Sequence, residues 1–349
     1  MTNAAKQRSI ENKKANKAFK SDSQRLAFLL SSLGFVFTVV WLGFVVALLT
    51  PLRRYTEIWI LKNVEAFLVN SFTENGTGGN PAGVVLHADH LSNEEKLQIA
   101  QAVGYSETAF VSLDDEADFE LSFFTITGEV DFCGHATLAA FSTMYQDGII
   151  TEGKYLQRTK AGLLVVTIEA NGHIVMDQKL PEYRGEFSCE VISELIGLDS
   201  KILESTRLPI EVISTGLPDI IVPVPYGYLD KIQVNENLTS NFCKRHGAIS
   251  IHAFELCEQT SMLTASCRNF APLFGIPEES ATGSASGALA CYLAKHLSNT
   301  HSNSFTFEQG RAMECVSRIT ASVEWSDQGI IKVRVGGFAH KVGRQKITV

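Results

Sequence analysis

Cys133 and His135 flank a single glycine just before a run of small apolar residues, FCGHATLAA at 132–140. A thiol and an imidazole at this spacing are candidates for nucleophilic or proton-transfer chemistry. A glycine turn at a helix start adds unpaired N–H groups that attract an anion. A second such mouth stands at 281–294, ATGSASGALACYLA, where Thr282, Gly283 and Ser284 lead the helix and Glu279 comes just before it. Two mouths facing one cleft would clamp a carboxylate, with Gly134 and Gly283 allowing close backbone approach. The competing reading is that these glycines only let helix and sheet pack. A further carboxylate, Glu107, sits in SETAFV at 106–111 at the start of an apolar strand. Such a group is either a surface residue or a buried acid–base group with a raised pKa.

Other reactive side chains are less organised. His87 and His90 form the only close histidine pair, in HADH, where a strand should turn; a solvated turn explains them better than a metal-ligand set. The seven cysteines are scattered, with no Cys-x-x-Cys, which speaks for reduced thiols rather than a zinc knuckle or dithiol motif. The net charge of −8 hides an asymmetry. Residues 1–25 carry seven basic against two acidic side chains, so the rest of the chain stands at −13, which argues against nucleic acid as the main partner.

The elements that must position these residues fall into two kinds of sequence. Residues 26–50 contain no charge and would span about 37 Å as a helix, enough for a ~30 Å hydrocarbon layer. A transmembrane helix is expected there, behind a basic N-terminal tail at 1–25. The positive-inside rule then places the N-terminus in the cytoplasm. An alternative is that residues 1 to about 60 derive from a rarely used upstream start, which would leave the protein cytoplasmic. From Val64 onward, short β-branched runs bounded by Gly, Asn, Asp or Pro predict strands at 64–69, 83–86, 108–113, 121–125, 163–168, 173–176, 210–213, 220–224 and 331–335. Ser92 predicts the cap of an amphipathic helix at 92–103. The helices at 134–145 and 281–294 carry no acid or lysine, so they should be buried on every side. Similar leads precede both, which predicts an internal duplication: lobe 1 at 64–177 and lobe 2 at 178–349, each wrapping a sheet around a central helix, with the C-terminal strand free to return to lobe 1.

GGNPAGVVL (78–86), SETAFV, FCGHATLAA, RNFAPLFGIPEESATGSASGAL (268–289), FEQGRAM (307–313) and VRVGG (333–337) occur in an order that resembles the phenazine-biosynthesis PhzF-like family of the diaminopimelate epimerase-like superfamily. The resemblance runs from about residue 64 to the end. It implies an α+β fold of two similar lobes, each a barrel-like mixed sheet around a buried helix. It also implies a cofactor-independent isomerase that moves a proton on a small carboxylic acid, working as a homodimer, with no metal, nucleotide or pyridoxal. Carried over residue by residue, Glu107 resembles the general acid/base, Gly134 and His135 the first mouth, and Ser284 the serine of the second, beside Gly283. Glu279 and Ser280 stand where the family has Asp-Pro. The longer side chain moves the carboxylate by about a bond length, and a ~1 Å misplacement can cost ~10²-fold in rate; this speaks against the phenazine precursor as substrate. In the related epimerases two cysteines face each other across the substrate. Cys133 matches the first, but Thr282 holds the second position, so two-thiol racemisation is not expected. A racemase using Cys133 with an unusual partner, or a membrane-tethered binding protein without turnover, are the alternatives.

Overall fold

The computed structural model describes residues 62–297 and 302–349. Eighteen strands in these residues join one sheet. They are β1 Asn63–Ser71, β2 Asn80–Val85, β3 Thr108–Ser112, β4 Phe119–Phe124, β5 Glu129–Val130, β6 Gly153–Thr159, β7 Gly162–Ile168, β8 Ile174–Asp177 and β9 Glu182–Phe187. These are followed by β10 Ile210–Ser214, β11 Pro218–Pro223, β12 Ser250–Leu256, β13 Ala265–Ala271, β14 Ile276–Glu279, β15 Ser302–Gln309, β16 Ser317–Ser326, β17 Gly329–Gly337 and β18 Ala339–Thr348. The helices are α1 Asn93–Val103, α2 Gly134–Gln146, α3 Cys189–Ile196, α4 Ser200–Glu204, α5 Glu236–His246 and α6 Gly283–Leu297.

Strand pairing repeats. One half runs β18-β1-β2-β3-β4-β6-β7-β8, parallel at β2/β3 and at β4/β6 and antiparallel elsewhere. The other runs β9-β10-β11-β12-β13-β15-β16-β17, parallel at β11/β12 and at β13/β15. Parallel neighbours need a crossover connection, and the helices supply it: α1 and α5 bridge the first parallel pair of each half, α2 and α6 the second. The C-terminal β18 leaves the second half and pairs with β1 of the first, while β9 pairs with β10 within the second. Antiparallel pairing of β8 with β17 makes the sheet continuous.

The fold class expected from sequence is thereby corrected in two respects. The fold is a mixed, sheet-rich α/β arrangement with one connected sheet rather than two barrel-like sheets, because the backbone edges of β8 and β17 satisfy each other. Among the described residues no helix is long and apolar enough to cross a membrane. The transmembrane helix expected at 26–50 lies outside the described residues and has no support in the structure.

Local signals explain the helix ends. Ser92 caps α1 in a complete capping box with Glu95, and Gly104 ends it in the left-handed conformation. Helix α2 is buried continuously from His135 to Met144, and α6 is buried at almost every position from Gly283 to Ala294. Both pack in one core with inward-facing residues of both halves, including Phe123, Val166, Ile221, Phe254, Val323 and Val335. Absence of charge from 134 to 146 and from 283 to 294 makes this possible, since a charged side chain is almost never buried without a partner. The first turn of each helix is thus fixed by a core that reaches into both halves. All seven cysteines, every one among the described residues, are free thiols.

Candidate active site

Glu107 immediately precedes β3, His135 is the second residue of α2, and Glu279 is the last residue of β14, four residues before the start of α6. The fold brings these three together. His135 Nε2 stands 3.2 Å from Glu107 Oε2, and its Nδ1 stands 4.0 Å from Glu279 Oε1. Cys133 Sγ lies 3.4 Å from His135 Nδ1, and Ser71 Oγ donates to the His135 carbonyl at 2.6 Å, fixing the first turn.

The two carboxyl groups experience opposite environments. Burial favours the neutral form of Glu107, but the adjacent His135 overrides it and holds the pKa below the usual carboxylate value. A raised pKa at this position, one of the two sequence readings, is therefore not what the site produces. At Glu279 burial wins over His135 and the donors around it, and the pKa is raised. Burial opposes charge on His135, yet its neighbours, the Glu107 carboxylate among them, hold its pKa well above the ordinary imidazole value. Burial pushes the Cys133 thiol upward, against the pull of His135. The set is thus an ionised carboxylate, a charged imidazole and a carboxyl group biased toward its acid form. Although Glu107 Oε2 is close to the imidazole, the contact is off the hydrogen-bonding direction, and this buried oxygen has no aligned partner.

The second mouth is built from residues that sequence reasoning passed over. Asn80, at the start of β2, donates to Glu279 Oε1 and to the Ala281 carbonyl, both at 2.9 Å. Gln309, at the end of β15, donates to the Glu279 carbonyl at 2.7 Å and to Thr282 Oγ1 at 3.1 Å, and accepts from the Thr282 amide at 3.1 Å. Ser280 donates to the Gly79 carbonyl at 3.0 Å, and this hydrogen bond anchors the loop before α6. The Thr282 hydroxyl donates to Glu279 Oε2 at 2.5 Å. Asn80 and Gln309 lie inside the GGNPAGVVL and FEQGRAM motifs. An Asn before Pro reads locally as a turn, so their side-chain reach across the sheet left no signal in the local pattern.

The two mouth glycines differ. A Cβ on Gly283 would stand 3.3 Å from the Phe72 ring, so packing alone favours glycine there. A Cβ on Gly134 would meet nothing nearer than Phe132 at 3.9 Å, at a φ that any residue adopts. Packing does not demand glycine at 134. Ser284 offers its carbonyl to the Thr215 hydroxyl at 3.1 Å and occupies the second position of α6. Among the described residues one group, Glu107, Cys133 and His135, brings potential metal-ligand atoms within 4.8 Å of one another.

Two carboxyl groups of opposite bias stand around one imidazole at the starts of two buried helices, an arrangement suited to acid–base chemistry. The sequence comparisons give the family. The phenazine biosynthesis-like protein family matches residues 69–344, and the chain belongs to it. It is 33% identical over 290 residues to the uncharacterized isomerase YfhB of Bacillus subtilis, covering 80% of this chain and 97% of that protein. It is 26% identical over 294 residues to trans-2,3-dihydro-3-hydroxyanthranilate isomerase of Pseudomonas fluorescens, covering 81% and 98%. The PhzF-family crystal structure from Bacillus anthracis superposes with a TM-score of 0.76 at 30% identity, covering 82% of this chain and all of that one. The protein is an isomerase by these relationships.

Proposed function

We propose that the chain is a cofactor-independent isomerase that removes a proton from a carbon of a small carboxylic acid and returns one to another carbon. The observation that carries this reading is the opposed bias of Glu107 and Glu279 on either side of His135, because groups whose environments push their pKa values apart divide into base and acid. The Glu107 carboxylate, with its Oε2 3.2 Å from His135 Nε2, takes the proton from the substrate C–H bond. The bonding pair moves into the conjugated system of the acid, and the carbon at its far end takes a proton from the His135–Glu279 side. Glu107 is left protonated and the His135–Glu279 side one proton short, and exchange between them through His135 or solvent restores both; oxidation state is unchanged, so the reading asks for no redox partner.

The substrate carboxylate is assigned to the N–H groups that open α2 and α6, beside Gly134, Gly283 and Ser284, with the helix dipoles supporting the anion. The free space at Gly134 supports this assignment. Gly134→Ala is expected to leave thermal stability within about 1 kcal/mol, since alanine is the better helix former, while raising KM or Kd for the acid by at least about tenfold. Equal losses of stability and affinity would instead make Gly134 a packing residue.

Cys133 is expected to stay a protonated thiol. Cys133→Ala should lower kcat/KM less than about tenfold; a loss above ~10³-fold, the scale of a deleted catalytic base or nucleophile, would favour the racemase reading. The function itself is tested by following double-bond position by proton NMR in unsaturated and amino-substituted carboxylic acids incubated with the protein. Appearance of a positional isomer supports the assignment. Inversion at an α-carbon without double-bond movement would replace it with an epimerase.

A further inference from the structure

The pairing of the two halves can be superposed by register. Val130 opposes Phe123 and lies four residues before Gly134; Glu279 opposes Asn269 and lies four residues before Gly283. In the same register Thr108 opposes Phe124, and Ile251 opposes Phe270. The residue before each is Glu107 in one half and Ser250 in the other, so Ser250 is the counterpart of the proposed base. It does not stand alone. Ser250 Oγ contacts Asp219 Oδ1 at 2.6 Å and Asn269 Oδ1 at 2.8 Å, and His252 Nδ1 contacts the same Asn269 oxygen at 3.2 Å. Asp219 opposes Ser250, His252 opposes Asn269, and Asn269 opposes Glu279. Directly opposed residues, and those two apart on one strand, share a sheet face. These five therefore form a polar row across β11, β12, β13 and β14, on the face whose Ile221, Phe254 and Cys267 pack in the core with α6.

Proton counting points to a neutral Asp219 in this row. One serine hydroxyl hydrogen lies between two oxygen acceptors, so with the Asn269 amide oriented as it is, the second O···O contact needs a proton from the Asp219 carboxyl group. Asp219 is 1% exposed, and its Oδ2 has no partner; nor does His252 Nε2. A buried carboxylate with a bare oxygen is costly, and the group neutralises instead. We propose that Asp219 is a positioning residue for Glu279, a neutral carboxyl group that acts across the sheet through the Ser250–Asn269 row. Burial first, and then the charge of Glu279, push the Asp219 pKa up to about 7, against the hydrogen bond from Ser250. The titratable groups that face it are Glu279, His252 and the Cys243 thiol; burial lowers His252 to about 4 and raises Cys243 to about 11, so near neutral pH the change of charge belongs to Asp219. While Asp219 is neutral, Glu279 has no second anion behind it. Ionisation of Asp219 adds a negative charge beside Glu279 and makes that group hold its proton more tightly.

This inference draws on Glu279's proposed acid role only for its importance; the test reads protonation in the full chain without turnover, so failure of one is distinguishable from failure of the other. The carboxyl carbon of ¹³C-labelled Glu279, assigned by its absence in Glu279→Gln, is followed by NMR against pH in the parent and in Asp219→Asn. The amide keeps the shape and a donor for Ser250 but cannot ionise. The parent should show a second inflection near pH 7 that Asp219→Asn lacks. A carboxyl group with a raised folded pKa contributes stability at low pH that is lost as pH rises through that value. Asp219→Asn should therefore raise Tm relative to the parent more at pH 8 than at pH 5. Identical Glu279 titrations in the two proteins would overturn the proposal. Should Asp219→Asn fail to fold, Ser250→Ala decides: it leaves the acid and cuts the row, so a shifted Glu279 midpoint supports the role and an unchanged one overturns it.

Discussion

Glu107→Gln is expected to lower turnover by about 10²–10⁴-fold, the contribution of a positioned acid–base group, with little change in fold or ligand affinity. The amide preserves size and most of the packing of this half-buried side chain. It removes a charge that helps hold the His135 pKa up and replaces an oxygen that accepts a proton with a group that does not. Steady-state kinetics on an isomerised acid, with a thermal melt as control, would check this. A variant retaining more than about a tenth of the parental rate contradicts the role of Glu107.

Glu279→Ala should cost about 10²-fold or more, for two linked reasons. It deletes the carboxyl group biased toward its acid form. It also strands the donors now aimed at that group, the Asn80 amide and the Thr282 hydroxyl. The pH profile separates the roles. Glu107, with its pKa lowered, is ionised from below the ordinary carboxylate range upward, so activity should persist to unusually low pH. His135 and Glu279, both raised, hold their protons at low pH and lose them as pH rises through their folded values, so the alkaline limb belongs to them. Removing the anion-forming Glu279 beside His135 should move that limb to lower pH. A near-normal rate with an unmoved alkaline limb would reduce Glu279 to a charge that complements the start of α6.

Much of this arrangement was written locally. Helices α1, α2 and α6 carry their own signatures, a capping box in one case and charge-free runs in the others, and the repeated lead before α2 and α6 pointed to the repeat seen in strand pairing. Glu107, His135 and Glu279 were singled out through the family resemblance, since Glu107 in SETAFV reads by itself equally well as a surface residue. Their opposed pKa directions were not legible, since these depend on the approach of residues 28, 144 and 172 positions apart in the chain. Strands such as β9 (EYRGEF) and β18 (AHKVGRQKIT) escaped because they are polar; their place in the sheet is decided by the β10 and β1 edges they pair with. The polar row at Asp219 escaped for a related reason. Asp219, Ser250 and Asn269 look like turn residues in isolation, and only the sheet register puts them side by side.

The central claim is that Glu107 moves a carbon-bound proton of a small carboxylic acid. Solvent exchange measures this most directly. The full chain is incubated in heavy water with a panel of small unsaturated and amino carboxylic acids, including trans-2,3-dihydro-3-hydroxyanthranilate, and deuterium uptake at carbon is read by mass spectrometry. The parent should label at least one acid, at the carbon that receives the returned proton, and Glu107→Gln should leave that acid unlabelled. Uptake that is equally fast in Glu107→Gln, or isomerisation of an acid by the parent with no solvent deuterium in the product, would contradict the account.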